Sequence, residues 1–175
     1  MDHQLQTARQ TMNEIDRVLN ERVLNIQTIA GAPPIQNVLI PGNLQTGDFK
    51  KIGLKRINEF TTVTGPWDLL MMVDNKGKIV ASSDEKQMER FIGEQIQNKI
   101  AYETAMREDY YYSDLVVSQS TGQFTVIFAA PIRNPNAPTR IMGTIKMTNF
   151  IAAIVAGAKA TLVGCSKTSP QPLPR

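Results

Sequence analysis

The pattern of apolar and polar positions divides the chain into a helical first third and a strand-rich remainder. Leu5, Ala8, Met12, Ile15, Leu19, Ile26 and Ile29 recur at alternating three- and four-residue steps, the spacing of one helix face. Arg22 alone interrupts the stripe, and Val18, Val23 and Ala30 widen it. Gly31, Pro33 and Pro34 end it. A helix of some 28 residues reaches about 42 Å, longer than a domain of this size is wide. Residues 35–62 continue in interrupted helical spacing, with a turn at Pro41-Gly42 and apolar positions at Phe49, Ile52, Leu54, Ile57 and Phe60. A break is expected from Thr61 to Pro66.

From Trp67 the period changes. Leu69 to Val73 reads as a strand, Asp74-Asn75-Lys76-Gly77 as a hairpin turn, and Ile79-Val80-Ala81 as the returning strand. Ser82-Ser83-Asp84 is placed to cap a short helix near Glu85 to Phe91, closed by Gly93, and Ile96 to Met106 reads as a further helix. Tyr110 to Ser118 is aromatic and β-branched, and Ser120-Thr121-Gly122 turns the chain. Phe124 to Ile132 then runs as a nearly unbroken apolar strand of the kind covered on both faces. After the loop at Asn134 to Pro138, Arg140 to Thr148 gives a final strand, and Asn149 is expected to cap a closing helix through about Lys159. The expected class is α+β, with a five-stranded antiparallel sheet flanked by helices and a long N-terminal helix. Residues 1–34 form that helix, 35–165 a single domain, and 166–175, with three prolines, a linker or tail.

Composition narrows what such a fold is expected to do. The 175 residues are 42% hydrophobic and 20% charged, ordinary for one folded domain. One Cys, Cys165, allows no internal disulfide framework, and one His, His3, disfavours a histidine-dependent catalytic centre. A formal charge of +3 is spread too thinly to be a nucleic-acid footprint. No nucleophile elbow, zinc-protease helix, dinucleotide fingerprint or P-loop occurs, and Gly77-Lys78 is followed by Ile79, which reads as hairpin. No catalytic residue, metal site or cofactor is assigned. No run approaches the roughly 20 apolar residues of a membrane span, and no basic-then-apolar leader opens the chain.

The informative cluster is Arg107 to Asp114. Strand alternation places Tyr110, Tyr112 and Asp114 on one face and Tyr111, Ser113 and Leu115 on the other. Two rings, a carboxylate and a nearby cation suit a pocket for a small polar molecule. The expected ligand-binding set is Arg107, Tyr110, Tyr112, Asp114, Phe128 and Arg133, with Phe128 as an apolar wall and the two arginines at the mouth. A plainer reading of the same residues is tyrosines packed on a sheet beside an exposed Asp114.

Residues 67–148 resemble the Cache family, PAS-like extracytoplasmic sensor domains of receptor kinases and chemoreceptors. The matching features are Val73-Asp74-Asn75-Lys76-Gly77-Lys78-Ile79-Val80-Ala81-Ser82-Ser83, Ile92-Gly93, Tyr112-Ser113-Asp114, Ser120-Thr121-Gly122, Ala129-Ala130-Pro131-Ile132 and Met142-Gly143-Thr144-Ile145. The resemblance implies a ligand pocket between the sheet and the segments joining its second and fourth strands. It also implies a parent receptor anchored in a membrane, and a relay of ligand binding through the terminal helices to an output such as a histidine kinase. It brings no enzymatic activity of its own. The N-terminal stripe reads either as the seam of a homodimer, the expected partner, or as a core-packing face in a monomer, and a ligand-free dimerisation domain is the alternative to sensing. The citrate-sensor signature lacks its histidine near Ser82-Ser83-Asp84, and Val126 and Ile127 stand where that group carries arginine. The arginine, tryptophan and tyrosine of amino-acid sensors are likewise missing before Tyr112. Neither ligand class carries over.

Overall fold

The computed structural model describes residues 2–43, 47–64, 67–84, 92–96, 99–118 and 122–150. Helix α1 spans Asp2–Ala30, 29 residues. Its C-terminal half buries Val18, Val23, Ile26, Ile29 and Ala30, whereas Leu5 and Met12 of the same stripe are exposed. Arg22, which interrupts the stripe in sequence, fits because its guanidinium lies 4.7 Å over the Trp67 ring. Its Nη1 also donates to the Thr64 carbonyl at 2.6 Å. The apolar stem packs while the charge meets a π face and a carbonyl.

Gly31 ends α1, and α2, Pro33–Val38, begins with proline at its first turn, where a missing N–H costs nothing. Helix α3, Gly47–Thr64, runs through the threonines where a break is expected from sequence. The hydroxyls of Thr61, Thr62 and Thr64 each bond a carbonyl three or four residues back, so they stay within the helix rather than unwinding it.

Six strands follow: β1 (Leu69–Asp74), β2 (Ile79–Ser82), β3 (Tyr111–Tyr112), β4 (Val116–Val117), β5 (Phe124–Asn134) and β6 (Ala137–Phe150). Helix α4, Lys99–Ala105, lies between β2 and β3. The sheet order is β2-β1-β6-β5-β3, with β4 also paired to β5, and every described pairing is antiparallel. The α+β class and long N-terminal helix hold.

Several boundaries differ from the sequence expectation. The segment read as one strand over Tyr110 to Ser118 is two, because Ser113 intervenes. Its Oγ accepts from Ile127 N at 3.0 Å and donates to the Asp114 carbonyl at 2.6 Å, replacing a ladder bond with a side chain. Asn149 pairs with Val126 inside β6 and so caps no helix there. Residues 151–159, read as the closing helix, lie outside the described residues, as does the helix expected over 85–91. Ile96 precedes α4 rather than beginning it, its N–H donating to the Gly77 carbonyl at 2.8 Å.

The β1–β2 hairpin forms as read. Asp74 Oδ1 accepts from the N–H groups of Lys76 and Lys78 at 2.8 and 2.9 Å, and Gly77 supplies the positive φ of 79°. The sheet then separates two cores. Leu70, Met72, Val126, Phe128, Ala130, Ile132, Ile145 and Met147 face α1, α2 and α3. On the opposite face Ile127 and Ala129 meet Ala101 and Ala105 of α4, and Val73 and Ile79 meet Ile96. Val126 and Phe128 are buried as expected.

Candidate functional site

Three of the six residues singled out from sequence come together. Tyr110 and Tyr112 stack with centroids 6.4 Å apart, and Tyr112 lies 6.3 Å from Phe128. The series continues to Trp67, whose ring meets Phe128 edge-on at 5.9 Å. With Arg22 over Trp67, contacts run from the β3 edge to the middle of α1. Phe128 is fully buried, whereas Tyr110 and Tyr112 are 43% and 48% exposed.

Arg133 belongs to a different grouping. Its Nη2 pairs with Asp109 Oδ1 at 2.9 Å, and Nη1 donates to the Pro138 carbonyl at 3.3 Å. Beside this pair a cleft of about 190 Å³ opens between the end of α1 and β5, lined by Gln27, Gly31, Gln36, Ala130, Asp109 and Arg133 among others. Arg107, exposed at the end of α4, donates from Nε to the Glu103 carbonyl at 3.2 Å. Asp114 is exposed as well. Among the described residues neither makes an ion pair or side-chain hydrogen bond with the tyrosines.

The other face of the sheet holds two groups that the sequence reading missed. Lys146 sits on β6, the strand flanked by β1 and β5, with Met71 and Ala129 as its cross-strand partners. Alternation puts it on the α4 side, since Ile145 and Met147 face the helical core. It is mostly removed from solvent, and burial pushes its ammonium pKa down, with no opposite charge among the described residues to offset the loss of hydration. Two residues back on the same face, Thr144 lies between Val73 and Pro131. Its hydroxyl is buried without a hydrogen-bond partner among the described residues. A lysine between two hydrophobic residues in a strand ordinarily reads as the solvent-facing half of an alternation. The signal available in sequence is its place inside a strand with apolar strands on both sides. Tyr111 shares this face, packed against Ala101, Ala105, Ile127 and Ala129.

Nearby, Tyr102 of α4 packs against Val73, Ile79 and Ile96. Burial pushes its phenol up, and the charge of Asp74 adds to the effect. Among the described residues no group of three or more His, Cys, Asp or Glu side chains converges as a metal site would require. None of the described helices is long and apolar enough to cross a membrane.

No family model and no curated protein sequence matches this chain. Solved structures do. The sensor domain of the V. cholerae histidine kinase DctB superposes with a TM-score of 0.73 at 18% identity, over 90% of this chain and 58% of that one. The ligand-binding domain of the Campylobacter jejuni chemoreceptor Tlp3, solved with L-norvaline, gives 0.65 at 10% identity, over 85% of this chain and 57% of that one. That of the Pseudomonas fluorescens chemoreceptor CtaA, with L-alanine, gives 0.60 at 14% identity, over 89% and 62%. The chain therefore spans less than two thirds of each of these neighbours. At such identities the likeness is one of architecture: these domains share with this chain the long helix laid on a PAS-like antiparallel sheet.

Proposed function

We propose that this chain is the extracytoplasmic small-molecule sensing region of a membrane-bound receptor of the histidine-kinase or chemoreceptor type. The observation that carries the reading is a sheet whose one face holds α1 while the other carries two polar groups, Thr144 and Lys146, without described partners. A purely structural sheet has no use for such groups. The architecture shared with sensor domains, two of them solved with amino acids, supports the same reading.

In this reading the ligand is taken up on the α4 side. Tyr111 faces that side and Tyr112 the other, so displacement of β3 moves the stack of Tyr110 and Tyr112 against Phe128 and, through Trp67 and Arg22, reaches α1. A shift in the position of α1 is the output. The exposed Leu5 and Met12 favour a second element of the proposal, pairing of α1 with its counterpart in a homodimer.

The test is a thermal-shift screen with aliphatic amino acids, short-chain mono- and dicarboxylates, purines and polyamines. A ligand at a hundred times its Kd adds about 2.7 kcal/mol, which for a chain of this size raises Tm by about 5–11 °C. Absence of any saturable shift, together with flat calorimetric titrations, would count against sensing.

A further inference from the structure

We propose that Lys146, with Thr144 beside it, anchors the acidic group of an organic acid on the α4-covered face of the sheet. This names the ligand class and rests on the sensing reading above. Lys146 is a mostly buried cation whose cross-strand neighbours, Met71 and Ala129, are apolar. None of the described carboxylates forms an ion pair with it. Asp74, at the end of the adjacent strand, is already engaged by two backbone N–H groups of its own turn. Loss of hydration lowers the pKa of Lys146, and among the described residues no charge restores it. An isolated buried charge is costly to a fold, and the cost falls when an anion arrives. Thr144 adds a second orphan, a buried hydroxyl whose donor and acceptor are unused among the described residues. The two side chains leave the same strand on the same face, about 7 Å apart along it. Carboxylate oxygens accept from both an ammonium and a hydroxyl, whereas a cationic or hydrocarbon ligand would leave the lysine uncompensated.

The probes are succinate, acetate, L-alanine, adenosine and putrescine, titrated into the chain and into Lys146→Met, Lys146→Arg and Thr144→Val by calorimetry and thermal shift. Succinate, acetate or L-alanine should bind the parent chain, and preference among them separates plain acids from amino acids. Lys146→Met should weaken that binding by at least about tenfold, Lys146→Arg should retain more of it, and Thr144→Val should weaken it by about three- to tenfold. Unliganded Lys146→Met should melt at or above the parent, because a buried cation is replaced by an apolar chain of similar shape. A lower Tm would assign Lys146 a structural partner and overturn the proposal. Acid binding unaffected by Lys146→Met would overturn it too. If only adenosine or putrescine binds, sensing stands and the acid anchor falls; if no probe binds, both fall.

Discussion

Replacing Gly143 with alanine tests the central register of the sheet. Gly143 lies in β6 opposite Asp74 of β1 and Ile132 of β5, and it is buried. A Cβ built there runs into the Val73 carbonyl oxygen, meets Leu39 Cδ1 at 2.8 Å, and approaches Asp74 Cα at 3.1 Å. Two of these three atoms are β1 backbone, so relief requires β1 and β6 to part, at strands normally held about 4.8 Å from each other. Overpacking in a core costs about 1–3 kcal/mol. With backbone as the obstacle the upper end applies, and at about 2–4 °C per kcal/mol the Tm should fall by about 6–12 °C. Circular dichroism melts of Gly143→Ala and of the double variant with Leu39→Ala provide the assay. Trimming Leu39 should not rescue the melt, because the unyielding contact is with backbone. A single variant melting within about 2 °C of the parent, or a double variant more stable than the single, would show that the close approach of β1 to β6 is misread.

Two further outcomes are expected. Because burial lowers the folded-state pKa of Lys146 below its ordinary 10.5, the unfolded chain binds more protons between the two values, and this group's contribution makes stability rise with pH there. Tyr102, with its folded-state pKa raised above 10.0, acts oppositely, favouring the fold below that value and losing its contribution as pH climbs. Urea midpoints across the alkaline range in Lys146→Met should lose the rising component and keep the falling one; an unchanged profile would refute the assignment. Separately, if α1 pairs in solution, Met12→Asp should shift a dimeric sample toward monomer in sedimentation velocity, since Met12 is 59% exposed and its loss costs no core. A dimer unaffected by the charge would place the contact elsewhere.

What sequence made visible was whatever depended on period. The stripe of α1, the turn at Asp74 to Gly77, and the double-faced burial of β5 all follow from spacing and from the hydrogen-bonding habits of single residue types. What it hid were places where a side chain does the work of backbone, or the reverse. Ser113 splits a strand because its hydroxyl, in place of its carbonyl, accepts from the Ile127 N–H. The threonines near the end of α3 would suit a turn equally well, and only their back-bonding keeps them helical. Asn149 is a good cap that the pairing with β5 overrides. Of the site, the aromatic association of Tyr110, Tyr112 and Phe128 was legible from alternation. Lys146 was not, because depth within a sheet is set by the strands on either side, which no local window contains.

The stacking of Arg22 on Trp67 has a practical consequence. Trp67 is the single tryptophan of the chain, and its indole touches the sheet through Phe128, α3 through a 2.8 Å bond from Nε1 to Thr64 Oγ1, and α1 through the guanidinium. The chain therefore carries an intrinsic fluorophore at the junction where its longest helix meets its sheet. Emission wavelength and anisotropy at this one position report whether the cation is on the ring or withdrawn. Movement of α1 can thus be followed in real time, in the unlabelled protein, with the chemistry the sequence already supplies.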